Sequence, residues 1–339
     1  MKKFFLSLLI LLAIFIALDR VWGFLIAQNR NIKLSYVRNT PLDPDVLIHG
    51  PCEPLFTLDP TFLSQQGDLS YYNYALRHTD FADNYLHLYL YLKRNPAPKY
   101  LLLYATPESF DLRFNSFHTF RFAPFLEDSV VAGVVAERDP DYYRYTLIPF
   151  ARYAYFNSYK TWDAIQGLKH WMQGEASPYF EDGFVPHPNT EYTESLNGFI
   201  PPQKLTYAAG NQVEYDDSGG FYYEIYDSAE VFVWDASREN YFRKILDLAR
   251  DSGIQTIVYE STPFWGSVAY QPNRRIFLNR IQSITREYDV PFWIFDTLEI
   301  GANRKNFVCP LILGQEGGKA FMKELVKKMK AIHEPQQKP

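Results

Sequence analysis

Apolar residues are concentrated at the start of the chain and then recur in short runs and helical spacings. Lys2 and Lys3 precede an apolar stretch from Phe4 to Leu18, Asp19 and Arg20 interrupt it, and Val21 to Ala27 continues it. The first stretch has the length of a signal-peptide core. Both stretches together are just long enough to span a bilayer. No small-x-small cleavage site follows, so residues 1–27 read as an uncleaved anchor with its lysine-flanked end inside, in preference to a cleaved signal. Either reading exports the remainder. Residues 28–44 form a polar connector with prolines at positions 41 and 44.

Beyond the connector the pattern predicts five strands. These are Asp45–His49, Leu69–Tyr74, Tyr100–Ala105, Gln255–Tyr259 and Pro291–Phe295, the third a near-continuous apolar run of the kind buried on both faces. Between them lie helical signals. Asp59-Pro60 supplies an N-cap and a first-turn proline, and Asp80 caps a segment with Phe81, Tyr85, Leu88 and Leu92 at helical spacing. Asp235–Ser252 carries Phe242, Ile245, Leu246 and Leu248 inward and stops at Gly253. Asn273–Tyr288 places Ile276, Phe277, Ile281 and Ile284 inward, and Phe321, Leu325, Val326 and Met329 mark a last helix. Residues 106–235 are less regular. Helical pieces are expected near Leu126–Arg138, Tyr142–Tyr153 and Thr161–Gln173, followed by a Pro/Gly/Asn-rich stretch from Gly174 to Gly220. This region reads as an insertion on a single α/β domain covering 45–332, with 333–339 as a tail. Strands alternating with helices imply a mostly parallel sheet with helices on both faces. Ligands bind such sheets beyond the carboxyl ends of the strands, where His49, Gly50, Cys52 and Ala75–His78 are expected to emerge.

Composition narrows the function classes. The 339 residues are 47% hydrophobic and 22% charged, and the net charge of −5 lacks the clustered Lys and Arg that phosphate neutralisation requires. Nucleic acid is therefore not an expected partner. The short basic run at Lys327, Lys328 and Lys330 reads as the solvated face of the last helix. The 26 Tyr and 27 Phe serve either as core anchors or as a sugar-stacking surface, and composition does not choose between them.

The chain has two cysteines. Cys52 follows a buried strand and Gly50-Pro51, where an α/β enzyme presents a reactive side chain. Cys309 lies just ahead of the last helix. Several readings stay open. Cys52 is a thiolate nucleophile served by His78 or His49, with Asp80 as an orienting carboxylate. His49-x-x-Cys52 with Cys309 holds a metal, although the spacing matches no recognised signature. Or both are buried thiols acting as small hydrophobes. Glu108 and Asp111 follow the third strand and are expected in a solvated loop at the pocket mouth. Asp296 follows the fifth strand as a further candidate polar group. His87 reads as structural, while His118, His170 and His187 fall in the insertion with no partner readable from sequence.

The blocks Gly50-Pro51-Cys52, Asn73-Tyr74-Ala75-Leu76-Arg77-His78 and Cys309-Pro310-Leu311-Ile312-Leu313-Gly314 carry a resemblance to the SGNH (GDSL-like) hydrolase superfamily. The chain looks most like the membrane-anchored bacterial branch associated with surface-polysaccharide acylation. The resemblance covers about residues 40–110 and 230–332. It implies a three-layer flavodoxin-like fold. It also implies that Cys52 stands at the serine position, His78 at the oxyanion-hole glycine, Cys309 at the aspartate and Ile312 at the histidine. Family geometry places the first and last blocks on neighbouring loops, which implies a Cys52–Cys309 disulfide in an exported protein. Isoleucine accepts no proton, so the resemblance implies a degenerate site and a non-catalytic accessory or binding role in the cell envelope. Expected partners are envelope polysaccharide or an acyltransferase or export complex, with no cofactor and no metal. The opposing expectation is a cysteine-nucleophile acyl hydrolase or acyltransferase using Cys52 and His78.

Overall fold

The computed structural model describes residues 1–113, 117–156, 161–174, 231–268, 271–303, 306–309 and 311–333. The Gly174–Gly220 stretch, apart from Gly174, and His187 therefore lie outside the described residues. Along the chain run α1 (Lys2–Ala27), α2 (Lys33–Asn39), β1 (Val46–His49), α3 (Cys52–Thr57), α4 (Pro60–Gln66), β2 (Tyr71–Asn73), α5 (Phe81–Leu92), β3 (Tyr100–Tyr104) and α6 (Pro107–Phe110). Next come α7 (Thr119–Phe122), α8 (Ser129–Arg138), α9 (Tyr142–Thr146), α10 (Ala151–Phe156) and α11 (Thr161–Gln173). The last part holds α12 (Ala236–Asp251), β4 (Gln255–Glu260), α13 (Trp265–Val268), α14 (Arg274–Glu287), β5 (Phe292–Ile294), β6 (Phe307–Cys309), β7 (Ile312–Leu313) and α15 (Gln315–His333). The chain divides into two compact units. One contains residues 1–42, 90–95 and the described residues of 117–174, and the other contains the sheet.

Five parallel strands form the sheet in the order β2-β1-β3-β4-β5. This is the doubly wound order with its switch point between β1 and β3, compatible with a flavodoxin-like fold. Alternate strand residues, Val46 and Ile48, Leu102 and Tyr104, Ile257 and Tyr259, share a core cluster with Phe321, Met322, Leu325 and Met329 of α15. The opposite-facing Leu47, Leu101, Leu103 and Val258 are equally buried, and α12 packs along β4. Covering both sides of a strand is what permits uninterrupted apolar runs such as Tyr100–Tyr104.

The helix boundaries follow local chemistry. The Asp59 carboxylate accepts hydrogen bonds from the Thr61 and Phe62 amides, with Pro60 in the first turn. Asp80 does the same for Ala82 and Asp83, and Asp235 for Ser237. Two differences from the sequence expectation have plain causes. The helix expected over Tyr142–Tyr153 is two helices, because Pro149 offers no amide hydrogen and disfavours helical backbone at Ile148, and Phe150 then takes a φ of 64°. In α14 the inward stripe is Arg274, Phe277, Leu278, Ile281 and Ile284, whereas Ile276, expected inward, lies about two-thirds exposed on the opposite side.

α1 is long and apolar enough to be a membrane anchor or a signal sequence. Its interrupting charges are paired within the helical unit. Asp19 is held 2.7 Å from Arg152 and accepts the Phe150 amide hydrogen at 2.8 Å, and Arg20 pairs with Glu127.

Candidate functional site

Two loops leave the switch point, one after β1 and one after β3. Gly50 ends β1 with φ at 149°, and a Cβ there would lie 2.6 Å from the Pro54 ring and 2.8 Å from Tyr104 Cβ. Only glycine fits this turn. It lets Cys52 begin α3 directly beside the strand end. The Gly50 carbonyl accepts hydrogen bonds from the Leu76 amide and the Thr79 hydroxyl, both at 3.1 Å, which joins the β1 loop to the loop after β2. Asn73 secures the same arrangement from below. Its side-chain amide donates to the Pro54 and Leu58 carbonyls, each at 2.9 Å, while its oxygen accepts from the Ala75 amide.

Cys52 is half-buried and packs against an apolar cluster of Leu55, Phe56, Ala75 and Ile312. Ile312 arrives from the β6–β7 hairpin, which the sequence pattern did not predict. In that hairpin Cys309 is the register partner of Ile312. The first and last blocks are therefore neighbours at one sheet edge, through α3 and β7. No disulfide is found among the described residues, and the Cys309 side chain lies outside them.

The histidines separate. His78 is exposed in the loop after β2 with a φ of 53°, a left-handed backbone that glycine adopts more readily. His49 is fully buried, its ring 5.2 Å from that of Tyr74, which in turn lies 5.3 Å from the buried His87 ring. His87 is thus a core residue, as expected. In the helical unit His170 accepts the Arg30 amide hydrogen, and the His118 ring meets that of Phe120. Among the described residues no group of three His, Cys, Asp or Glu is arranged to hold a metal.

The main feature missed by the sequence pattern is a buried polar cluster beyond the carboxyl ends of β1, β3 and β4. Glu108, expected in a solvated loop, is 3% exposed and accepts a 2.7 Å hydrogen bond from the buried Gln271 amide. Glu260, the last residue of β4, is enclosed and lies 2.6 Å from Arg274. Glu53 is half-buried overall, yet its Oε2 is sealed from solvent. Burial, with the nearby Glu108 carboxyl adding to it, pushes Glu53 up to about 7. Burial also pushes Glu260 up to about 8, against the opposing pull of Arg274. Asp296 acts on this pair electrostatically from the end of β5. Tyr104 and Ser261 complete the edge with a 3.5 Å hydroxyl contact, and burial raises the Tyr104 phenol. Glu108 acts electrostatically on Glu53, Glu260 and Arg274, so three carboxyls and one guanidinium form one buried cluster. Glu53 and Glu260 gave no sequence signal, because a lone Glu after a strand is indistinguishable from a solvated one until its surroundings are known. Asp111, also expected in the solvated loop, is fully buried. It holds Arg113 and accepts the Val233 amide hydrogen, an anchoring role.

No family model matches the chain, and no curated protein matches it.

Proposed function

We propose that this is a membrane-tethered, extracytoplasmic domain of SGNH-like, three-layer architecture that does not carry out acyl transfer through Cys52. Its role is that of an accessory or binding protein in the modification or export of a surface glycan. The observation that carries this reading is the place of Ile312 in the apolar cluster against which Cys52 packs. An acyl-transfer nucleophile needs a base within hydrogen-bond reach, oriented by a third group. Here the residue from the last block is an aliphatic side chain that offers no base, and the half-buried Cys52 packs against the cluster it forms with Leu55, Phe56 and Ala75.

A bridge between Cys52 and Cys309 belongs to the same reading, since it would lock the hairpin over the β1 loop. The buried acids Glu53, Glu108 and Glu260 lie at the switch point, where α/β sheets bind ligands, and shape the floor beneath it. The test is turnover of acetyl esters and acetylated envelope glycans by the full-length protein, with Cys52→Ala alongside. The expected result is background turnover for both proteins. Turnover that vanishes in Cys52→Ala would establish the opposing reading, a cysteine acyltransferase assisted by His78.

A further inference from the structure

The helical unit presents exposed apolar residues beside α1. Helix α11 has two different faces. Ala164, Gly167 and His170 are buried against the end of α1, so closely that a Cβ on Gly167 would collide with the Leu25 carbonyl. Asn29 donates to Asp163 at 3.2 Å, and the Arg30 amide donates to His170 at 3.0 Å, fixing the crossing. The other face is exposed and apolar, formed by Trp162, Ile165, Leu168, Trp171 and Met172, with Trp162 at 64% and Met172 at 71%. These five positions span one half of the helical wheel, shared with Thr161, Ala164 and Lys169, whereas Asp163, Gln166 and Gln173 fall on the remaining arc.

The same unit has a second exposed apolar point. The turn between α9 and α10 presents Leu147 at 77% and Ile148 at 63% exposure. Just after it, the Phe150 ring contacts Phe15 and Trp22 of α1, at 6.4 and 6.1 Å between centroids. At a rise of about 1.5 Å per residue, Phe15 lies about 18 Å along the axis from Ala27. The turn therefore runs alongside the apolar stretch of α1 and not merely past its end. α1 is itself exposed there through Ile16, Leu18, Val21 and Phe24, and Phe24 meets Trp171 edge-on at 5.8 Å. At this level Asp19 is matched by Arg152, with 11% and 7% of their side chains exposed, and Arg20 is matched by the half-exposed Glu127. An internally paired charge is tolerated in lipid far better than a single one. Tryptophans at both ends of the α11 face match the preference of indole for the headgroup boundary.

We propose that α9, α10 and α11, with the turn at Leu147 and Ile148, form a second membrane element. It lies against a retained α1 and buries Leu147, Ile148, Trp162, Ile165, Leu168 and Trp171 in the acyl–headgroup boundary of the leaflet next to the C-terminal end of α1. The partner is a lipid surface. The proposal rests on the reading of α1 as a membrane segment. It also requires α1 to be kept, because cleavage would strip Asp19 from the enclosed Arg152 and uncover the small-residue face of α11.

The experiment uses the full chain in phosphatidylcholine vesicles with brominated acyl chains, reading tryptophan emission. Trp162→Phe/Trp171→Phe and Trp22→Phe are compared with the natural sequence. Circular dichroism and melting that match the natural protein confirm that the variants fold. The double variant is expected to lose about half or more of the bromolipid quenching, and Trp22→Phe a smaller share. Quenching unchanged in the double variant but abolished in Trp22→Phe leaves α1 in lipid and overturns the proposal. Quenching absent in all three proteins removes the membrane reading of α1 itself, and the proposal with it. Unquenched Trp162 and Trp171 together with a cross-linked dimer assign the face to a second copy, which also overturns it. Intact mass of the membrane-extracted protein is expected to retain Met1–Ala27, allowing for loss of the initiator methionine, and a mass lacking that segment contradicts the proposal.

Discussion

Arg274 Nη2 lies 2.6 Å from Glu260 Oε1, and the two side chains are 6% and 2% exposed. The contact pairs charges without good hydrogen-bond alignment, since Arg274 Nη2 and Glu260 Oε2 lack an aligned partner. Breaking one half of such a pair is costly because the other charge stays enclosed. Arg274→Met is expected to cost about 3 kcal/mol or more in urea unfolding, and Glu260→Gln combined with Arg274→Met to recover much of that loss. A double variant as unstable as the single one would show that Arg274 acts through packing instead.

The proton affinities give a pH dependence with a definite sign. Glu53 and Glu260 have ordinary values of 4.5 and rise to about 7 and about 8 in the fold. An acid whose folded value is raised contributes stability that is fully present below its unfolded value. That contribution is lost as pH climbs through the folded value. Stability from these groups therefore declines between about pH 4.5 and pH 8. Glu53→Gln is expected to make the decline shallower between about pH 4.5 and 7, and Glu260→Gln to make it shallower over the whole range from about pH 4.5 to 8, measured as the urea midpoint across pH. An unchanged profile in both variants contradicts the assignment.

Asn73 connects the loops of the switch point through two donated bonds to the Pro54 and Leu58 carbonyls. Asn73→Ala leaves both carbonyls and the Ala75 amide short of a partner. The expected loss is about 2–3 kcal/mol, with the melting temperature lowered accordingly. A variant as stable as the natural protein would mean that solvent replaces these bonds.

Much of the sheet was legible from the chain. Five segments became five strands, each within two residues of the expected limits, the clearest being Tyr100–Tyr104, because a strand buried on both faces is apolar without interruption. Capping residues marked helix starts equally well, as at Asp59, Asp80 and Asp235. Three features were not legible, and each depends on distant partners. Asp19 and Arg20 look like breaks in an anchor until Arg152 and Glu127 are placed beside them. Glu108 looks solvated until Gln271 covers it from 163 residues away. The β6–β7 hairpin is too short and irregular to show an alternating pattern, yet it brings Ile312 to Cys52.

The packing of Cys52 makes its own prediction about stability. Cys52→Ala removes a small, half-buried side chain from a hydrocarbon cluster and is expected to cost about 1 kcal/mol. Comparing intact mass before and after reduction shows whether a bridge to Cys309 adds to that cost.

The central claim is that the position of Cys52 is not a catalytic one. The most direct measurement is labelling of the native full-length protein by an acyl-ester-type, thiol-directed activity probe at pH 7.5, with the modified residue located by peptide mass analysis. The account predicts no labelling of Cys52 above that of the denatured, reduced control. Rapid labelling of Cys52 in the native fold, accompanied by ester turnover that Cys52→Ala abolishes, would contradict it.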